Sequence, residues 1–173
     1  VEQHDSLYQY QSNYIVNKMG KAKEIAMRAY PIYEGLLRSK NLIDVEDLIV
    51  RCQEIFISRP EVLRYYRTRF KHIIVDEFQD LSSAEYMLLR TLALGSDYDD
   101  VKANVHVYCA ADDDQSIYGF RGADPSETMV RFLEDFPKST ALGLKVCYRL
   151  PTHLQEAAGQ LIKNNDPHRI PKM

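Results

Sequence analysis

The chain has no tryptophan, three cysteines and no large excess of either charge, and each shortage narrows what it can be. Without Trp, any flat ring surface must come from its 12 Tyr and 6 Phe residues. Cys52, Cys109 and Cys147 show no metal-ligand spacing and read as reduced core residues of an intracellular protein. A net charge of -3 is not that of a bulk nucleic-acid binder, so any such contact must come from local placement of side chains. No apolar run approaches the length of a membrane span, and the first residues lack the basic-then-apolar form of a signal peptide. Low-complexity stretches and internal repeats are absent. An opening Val in place of Met hints at a segment of a longer protein.

What is present is ordinary in bulk and specific in detail. The 173 residues, 45% hydrophobic and 27% charged, suffice for one compact domain or most of one. Two acid-rich strings stand out: Val75-Asp76-Glu77-Phe78-Gln79-Asp80, and Asp112-Asp113-Asp114-Gln115-Ser116-Ile117-Tyr118-Gly119-Phe120-Arg121-Gly122-Ala123. Each follows a short apolar run that reads as a buried strand, Lys71 to Val75 and Val105 to Ala111. Open α/β sheets bind ligands at the C-terminal ends of parallel strands. An Asp-Glu pair there suits a metal-bound nucleotide, with Asp76 holding Mg²⁺ and Glu77 orienting and deprotonating a water. ATP is the leading ligand.

These strings resemble motifs II and III of the UvrD/Rep-type superfamily-1 DNA helicases, the second following G-D-x-D-Q-S-I-Y-x-[WF]-R-G-A almost residue for residue. Val146-Cys147-Tyr148-Arg149 is similar to motif IV, N-Y-R-S, and Asn41 to Leu48 to the D-F-D-D-L segment upstream of motif II. The pieces keep the family's order over roughly residues 40 to 165. The resemblance implies a P-loop, RecA-like motor: an α/β fold, here partial, with a parallel sheet, flanking helices and an N-terminal helical segment. It implies a domain order of 1–40 as the end of an inserted helical subdomain, 41–150 as the later part of the first motor domain, and 151–173 as hinge and start of the second.

The resemblance also implies roles. Gln115 would sense the γ-phosphate, since an amide can donate and accept at once. Tyr148 would stack on adenine and Arg149 would fork onto the γ-phosphate. Tyr118, Phe120 and Arg121 form the candidate DNA surface, on which unpaired bases stack. The family usually has Trp at Phe120, so the stacking face is smaller here. Arg121 either binds a phosphate or braces the loop, and Tyr118 is either a DNA-facing ring or a core residue. Asp80 is expected to fix its loop. Asp112, Asp113 and Asp114 are expected to diverge and to serve loop hydrogen bonding more than joint chelation. Cys147 and Leu150 replace the usual Asn and Ser, which touches hinge bonding, and Ala111 replaces a Gly, which is harmless only if the backbone there stays extended.

The functional expectation is part of an ATP-dependent, 3′-to-5′ DNA helicase acting on single-stranded DNA and duplex junctions in repair or recombination, nuclear in a eukaryote or in cytoplasm and nucleoid in a bacterium, without a membrane partner. The phosphate-binding loop G-x-x-x-x-G-K-[ST] is nowhere in the chain, so this segment alone should not hydrolyse ATP. A family member fused to a nuclease is a second reading. A degenerate relative that binds single-stranded DNA or a protein partner without hydrolysis is a third.

Along the chain, Pro31 is expected to break the N-terminal helical segment, where Lys18, Lys21, Lys23 and Arg28 make a basic side. Asp44 is a good N-cap for a helix using Leu48, Ile49, Cys52, Ile55 and Phe56. Pro60 opens a helix to about Phe70, whose Arg64-to-Lys71 run reads as a solvated basic face with Tyr65 and Tyr66 in core contacts. Ser82 or Ser83 caps another helix, residues 94–104 form a polar insertion, and Asp124-Pro125-Ser126-Glu127 starts a further helix. Ala141 to Val146 suggests a third strand. Thr152 to Gln155 reads as a capping box for a last helix whose apolar face holds Leu154, Ala157, Ala158, Leu161 and Ile162.

Overall fold

The computed structural model describes residues 20–95 and 105–164. Lys18 and most of the predicted 94–104 insertion fall outside them. The structure divides between Leu48 and Ile49 into two units.

The first unit holds helix α1, Gly20–Ser39, which runs through Pro31 without a break. A proline in mid-helix removes one donor and crowds the carbonyl four residues back. That carbonyl belongs to Met27, which is exposed, so water can satisfy it. The helix stops where Asn41 takes a left-handed backbone (φ 51°), and Leu42 N–H bonds back to Leu37 O at 2.9 Å. That pairing is a Schellman closure with Asn in place of Gly. Asp44 accepts from Asp47 N–H at 2.9 Å, as an N-cap would, and also from Tyr33 Oη at 2.8 Å.

The second unit is built around two short strands. Helices α2 (Asp47–Ser58) and α3 (Pro60–Arg69) precede β1 (His72–Val75). Helix α4 (Ser83–Leu94) leads to β2 (His106–Cys109), which pairs with β1 in parallel, Val75 opposite Cys109. Parallel neighbours need a crossover, and α4 lies within it. Helix α5 (Pro125–Asp135) follows, then α6 (Thr152–Ile162). A mixed helical chain with a two-stranded parallel sheet is thus the observed form of the expected α/β class.

The core sits on one face of the sheet. Phe78, Tyr86 and Leu89 are buried there, packed by Ile73, Val75, Val107, Cys109, Met129 and Phe132. Tyr86 Oη donates to Asp135 Oδ2 (2.7 Å) while Arg90 Nε pairs with Asp135 Oδ1 (2.9 Å), so one carboxylate joins α4 to α5. Burial, and then that hydrogen bond, push the Tyr86 phenol well above its ordinary range. The strands were expected to be buried, yet their other face presents His72, Ile74, His106 and Tyr108 to solvent, Ile74 being 79% exposed. Alternate residues of a strand point to opposite faces, and the core helices α4 and α5 lie on one.

Other expectations change for similar reasons. On α3, Leu63 and Arg67, one turn apart, are the buried pair, so the basic run is not wholly solvated. Tyr65 is exposed, while Tyr66 makes the expected contact with buried Phe56 (ring centroids 6.0 Å) and stacks on Phe70. Cys52 and Cys147 are exposed, and only Cys109 reaches the core margin. Residues 141–147 form no strand and are exposed; Leu144 is fully so. An extended run becomes a strand only with a partner ladder, and β1 and β2 pair only with each other among the described residues. Helix α6 starts after Pro151 with no side-chain cap, so the Thr152 box does not form, and it buries no residue.

Candidate functional site

Register puts the two acid-rich turns side by side. Beyond Val75 and Cys109 the ladder continues for one more step: Ala110 N–H bonds to Val75 O, and Phe78 N–H to Ala110 O, both at 2.9 Å. Asp76 and Glu77 therefore leave β1 beside the point where Ala111 and Asp112 leave β2. A second tie, an antiparallel bridge between Ser82 and Ala123, holds the far ends of both turns together. Ser82 is fixed in turn by a capping box with Glu85 at the head of α4.

Within this frame each carboxylate has a distinct setting. Asp76 is exposed, and its Oδ1 accepts from Glu77 N–H (3.0 Å), which leaves Oδ2 open. Glu77 holds a left-handed backbone (φ 50°), uncommon for a side chain other than Asn, Asp or Gly. Its Oε2 accepts from Gln79 Nε2 (2.6 Å). One oxygen of Asp80, Oδ1, is buried without a hydrogen-bond partner. Strain at a carboxylate on a solvent-facing turn is what active sites store when surrounding bonds hold it.

The second turn is organised by Asp112. Its Oδ1 accepts from Asp114 N–H (3.3 Å) and its Oδ2 from the Gln115 side-chain amide (2.6 Å). The turn at Asp113–Gln115 gathers one oxygen from each of Asp112, Asp113 and Asp114 within 4.8 Å, where the sequence led us to expect divergence. Tight 3₁₀ winding brings neighbouring carboxylates together, and the loop hydrogen bonds engage both Asp112 oxygens. Ala111 is not among the described residues with positive φ, so its methyl group fits where the family has Gly.

The rings follow on the next turn. Phe120 is 82% exposed and lies 6.0 Å from Tyr118, which is 37% exposed, while the Arg121 guanidinium stands 5.9 Å over the Tyr118 ring. These three side chains form one outward platform of two rings and a cation. Next in the chain, Asp124 caps α5 through Glu127 N–H, and its hydrogen bond from Ser126 holds its carboxyl below the ordinary value.

Tyr148 and Arg149 are placed differently. Both lie on the exposed 141–150 segment, Tyr148 at 93% exposure, and no hydrogen bond joins Arg149 to Asp76, Glu77 or Gln115 among the described residues. The structure thus brings Asp76, Glu77 and Gln115 to one end of the sheet and leaves Tyr148 and Arg149 outside that cluster. Gln79 carries no expectation from sequence. It is fully buried and bridges the two turns, donating to Glu77 and accepting from Asp112 N–H (3.0 Å). Its one signal in the sequence is a polar amide flanked by Phe78 and, two places on, Leu81, directly after a strand.

Residues 2–137 match a model of the UvrD/REP helicase N-terminal domain. The chain belongs to the UvrD/Rep helicase family. Family relatives include DNA helicase II of Escherichia coli, 37% identical over 139 residues, which are 80% of this chain and 18% of that protein. ATP-dependent DNA helicase PcrA of Staphylococcus aureus is 36% identical over 149 residues, 86% of this chain and 19% of its own length. A putative ATP-dependent DNA helicase of Bacillus subtilis, YjcD, is 34% identical over 138 residues, 80% and 17% respectively. This UvrD/Rep-family chain therefore spans about a fifth of the length of these relatives. No helix among the described residues is long and apolar enough to cross a membrane.

Proposed function

We propose that this chain supplies part of the ATP site and part of the DNA track of a helicase that couples ATP hydrolysis to 3′-to-5′ movement along single-stranded DNA and to opening of duplex junctions. The carrying observation is the juxtaposition of Asp76, Glu77 and Gln115 at one end of a parallel strand pair, which is where P-loop and RecA-like motors bind nucleotide. Residues 41–150 are assigned to the first motor domain, 1–40 to an inserted helical subdomain, and 151–173 to the hinge and second domain.

The donor set fits a hard cation: Asp76 offers an exposed carboxylate with an uncommitted oxygen. Mg²⁺, when bound, would neutralise charge on the phosphate oxygens. Glu77 orients the attacking water and takes its proton. The Gln115 amide reaches the γ-phosphate side and, through Asp112, reports its state to the turn that continues into Tyr118, Phe120 and Arg121. Tyr148 stacks on adenine and Arg149 contacts the γ-phosphate once the 141–150 segment closes toward the strand ends. Without the phosphate-binding loop in its own sequence, this segment by itself is inactive. Repair and recombination are the settings the resemblance implies.

The test is Glu77→Gln in the full-length protein. Single-stranded-DNA-stimulated ATP hydrolysis should fall by about 10²–10⁴-fold, the range lost with a general base. Binding of single-stranded DNA should persist. Unchanged hydrolysis would sink the motor reading and leave a DNA- or partner-binding relative.

A further inference from the structure

Gln79 is the side chain at this site whose chemistry is still unassigned. It is 0% exposed and lies on the short turn Phe78–Asp80. Its Oε1 accepts from Asp112 N–H at 3.0 Å, its Nε2 donates to Glu77 Oε2 at 2.6 Å, and its backbone carbonyl accepts from Ser116 Oγ at 3.4 Å. The partners allow only one amide orientation, because a backbone N–H can only donate and an ionised carboxylate can only accept. Asp112 then grips the Gln115 amide at 2.6 Å. An unbroken hydrogen-bonded line therefore runs Glu77, Gln79, Asp112, Gln115. It starts at a residue in a left-handed backbone, a conformation that persists only where neighbours hold it.

We propose that Gln79 is a positioning residue that aims the Glu77 carboxylate and locks it to the Asp112–Gln115 turn, so that the base and the phosphate-sensing amide hold or change geometry together. A buried amide that merely filled space or satisfied Asp112 N–H would not need its donor turned to the one carboxylate that handles water. The inference rests on the reading of Glu77 as the base.

The test uses the full-length protein and the variants Gln79→Glu, Glu77→Gln and their combination, read as single-stranded-DNA-stimulated ATP hydrolysis. Gln79→Glu keeps the shape and the acceptor for Asp112 N–H but replaces the neutral amide donor with an acid that either repels the Glu77 carboxylate or shares its proton, so the base is no longer held as an aimed, free carboxylate. Its kcat should fall by about tenfold or more, the scale of a misaimed catalytic group, while KM for ATP stays within about twofold. Because Gln79 acts through Glu77, the double variant should be no slower than Glu77→Gln alone. A wild-type kcat in Gln79→Glu, or losses that multiply in the double variant, overturns the proposal while leaving Glu77 as the base. Full hydrolysis in Glu77→Gln overturns both assignments. If Gln79→Glu does not fold, Gln79→Met, uncharged and of similar volume, is judged by the same split between kcat and KM, with an unchanged kcat counting against the role.

Discussion

Phe120 is the single side chain on which the proposed DNA side of the site most directly rests. At 82% exposure, with Tyr118 beside it and Arg121 over the Tyr118 ring, it has no packing duty that would explain a large ring there. Base stacking on such a ring is lost on truncation at a cost of about 1–3 kcal/mol per base. Phe120→Ala in the full-length protein should therefore weaken single-stranded-DNA binding by that amount, and Phe120→Trp should bind at least as tightly as the native residue, as fluorescence anisotropy with a labelled oligonucleotide would show. Residues of this kind are legible in sequence because their identity is their chemistry. Asp76, Glu77 and Gln115 were equally visible, as polar groups directly after apolar runs. Gln79 was not, since its meaning lies in two partners, one of them Asp112 on another strand end, and no local pattern encodes a partner that far along the chain.

At the scale of elements, local chemistry predicted beginnings better than continuations. The Ser82 cap and the Asp124-Pro125 start of α5 formed because their hydrogen bonds close within four residues. Pro31 failed to stop α1, and Ala141 to Val146 failed to become a strand, because both outcomes depend on what surrounds the backbone. The end of α4 combines the two kinds of cause. Gly95 takes φ 94°, and a Cβ there would lie 2.5 Å from Arg67 Nη1, whose guanidinium is buried and directs Nη2 toward the Ala93 carbonyl at the helix C-terminus. Gly95→Ala should destabilise the fold by more than about 1 kcal/mol, through the positive φ and the displaced guanidinium together, measurable as a lower urea midpoint at unchanged slope. The sequence reading places Gly95 only within the polar 94–104 segment; its fit against Arg67 appears only when α3 lies on α4.

At the largest scale described, the core cluster beside the strand pair lies on one face of it, and its margin includes a titratable group. Cys109 packs against Phe78, Tyr86 and Leu89, and burial pushes its thiol from the ordinary 9.0 up to about 11. A thiol whose folded value is raised favours the fold fully below pH 9.0 and loses that contribution as pH rises toward 11, because the unfolded chain ionises first. Cys109→Ala should flatten this part of the alkaline decline in urea midpoint between pH 8 and 11, while the native protein shows it; an identical pH dependence in the two would mean that the thiol is not sheltered. The opposite strand face, with Ile74 and Tyr108 exposed, carries apolar area of the same kind without cover among the described residues.

By itself the sequence determined the family, the order of its motifs, the parallel strand pair and the residues proposed to bear the chemistry, because strand periodicity, caps and acid-rich turns are short-range patterns. Only the tertiary structure decided which strand face is buried, that Arg67 is buried beside Leu63 on α3, and that Gln79 joins Glu77 to Asp112. Those outcomes depend on contacts between residues distant in the chain, whose free energy exists only once β1 and β2 lie in register and the helices have closed over one side of them.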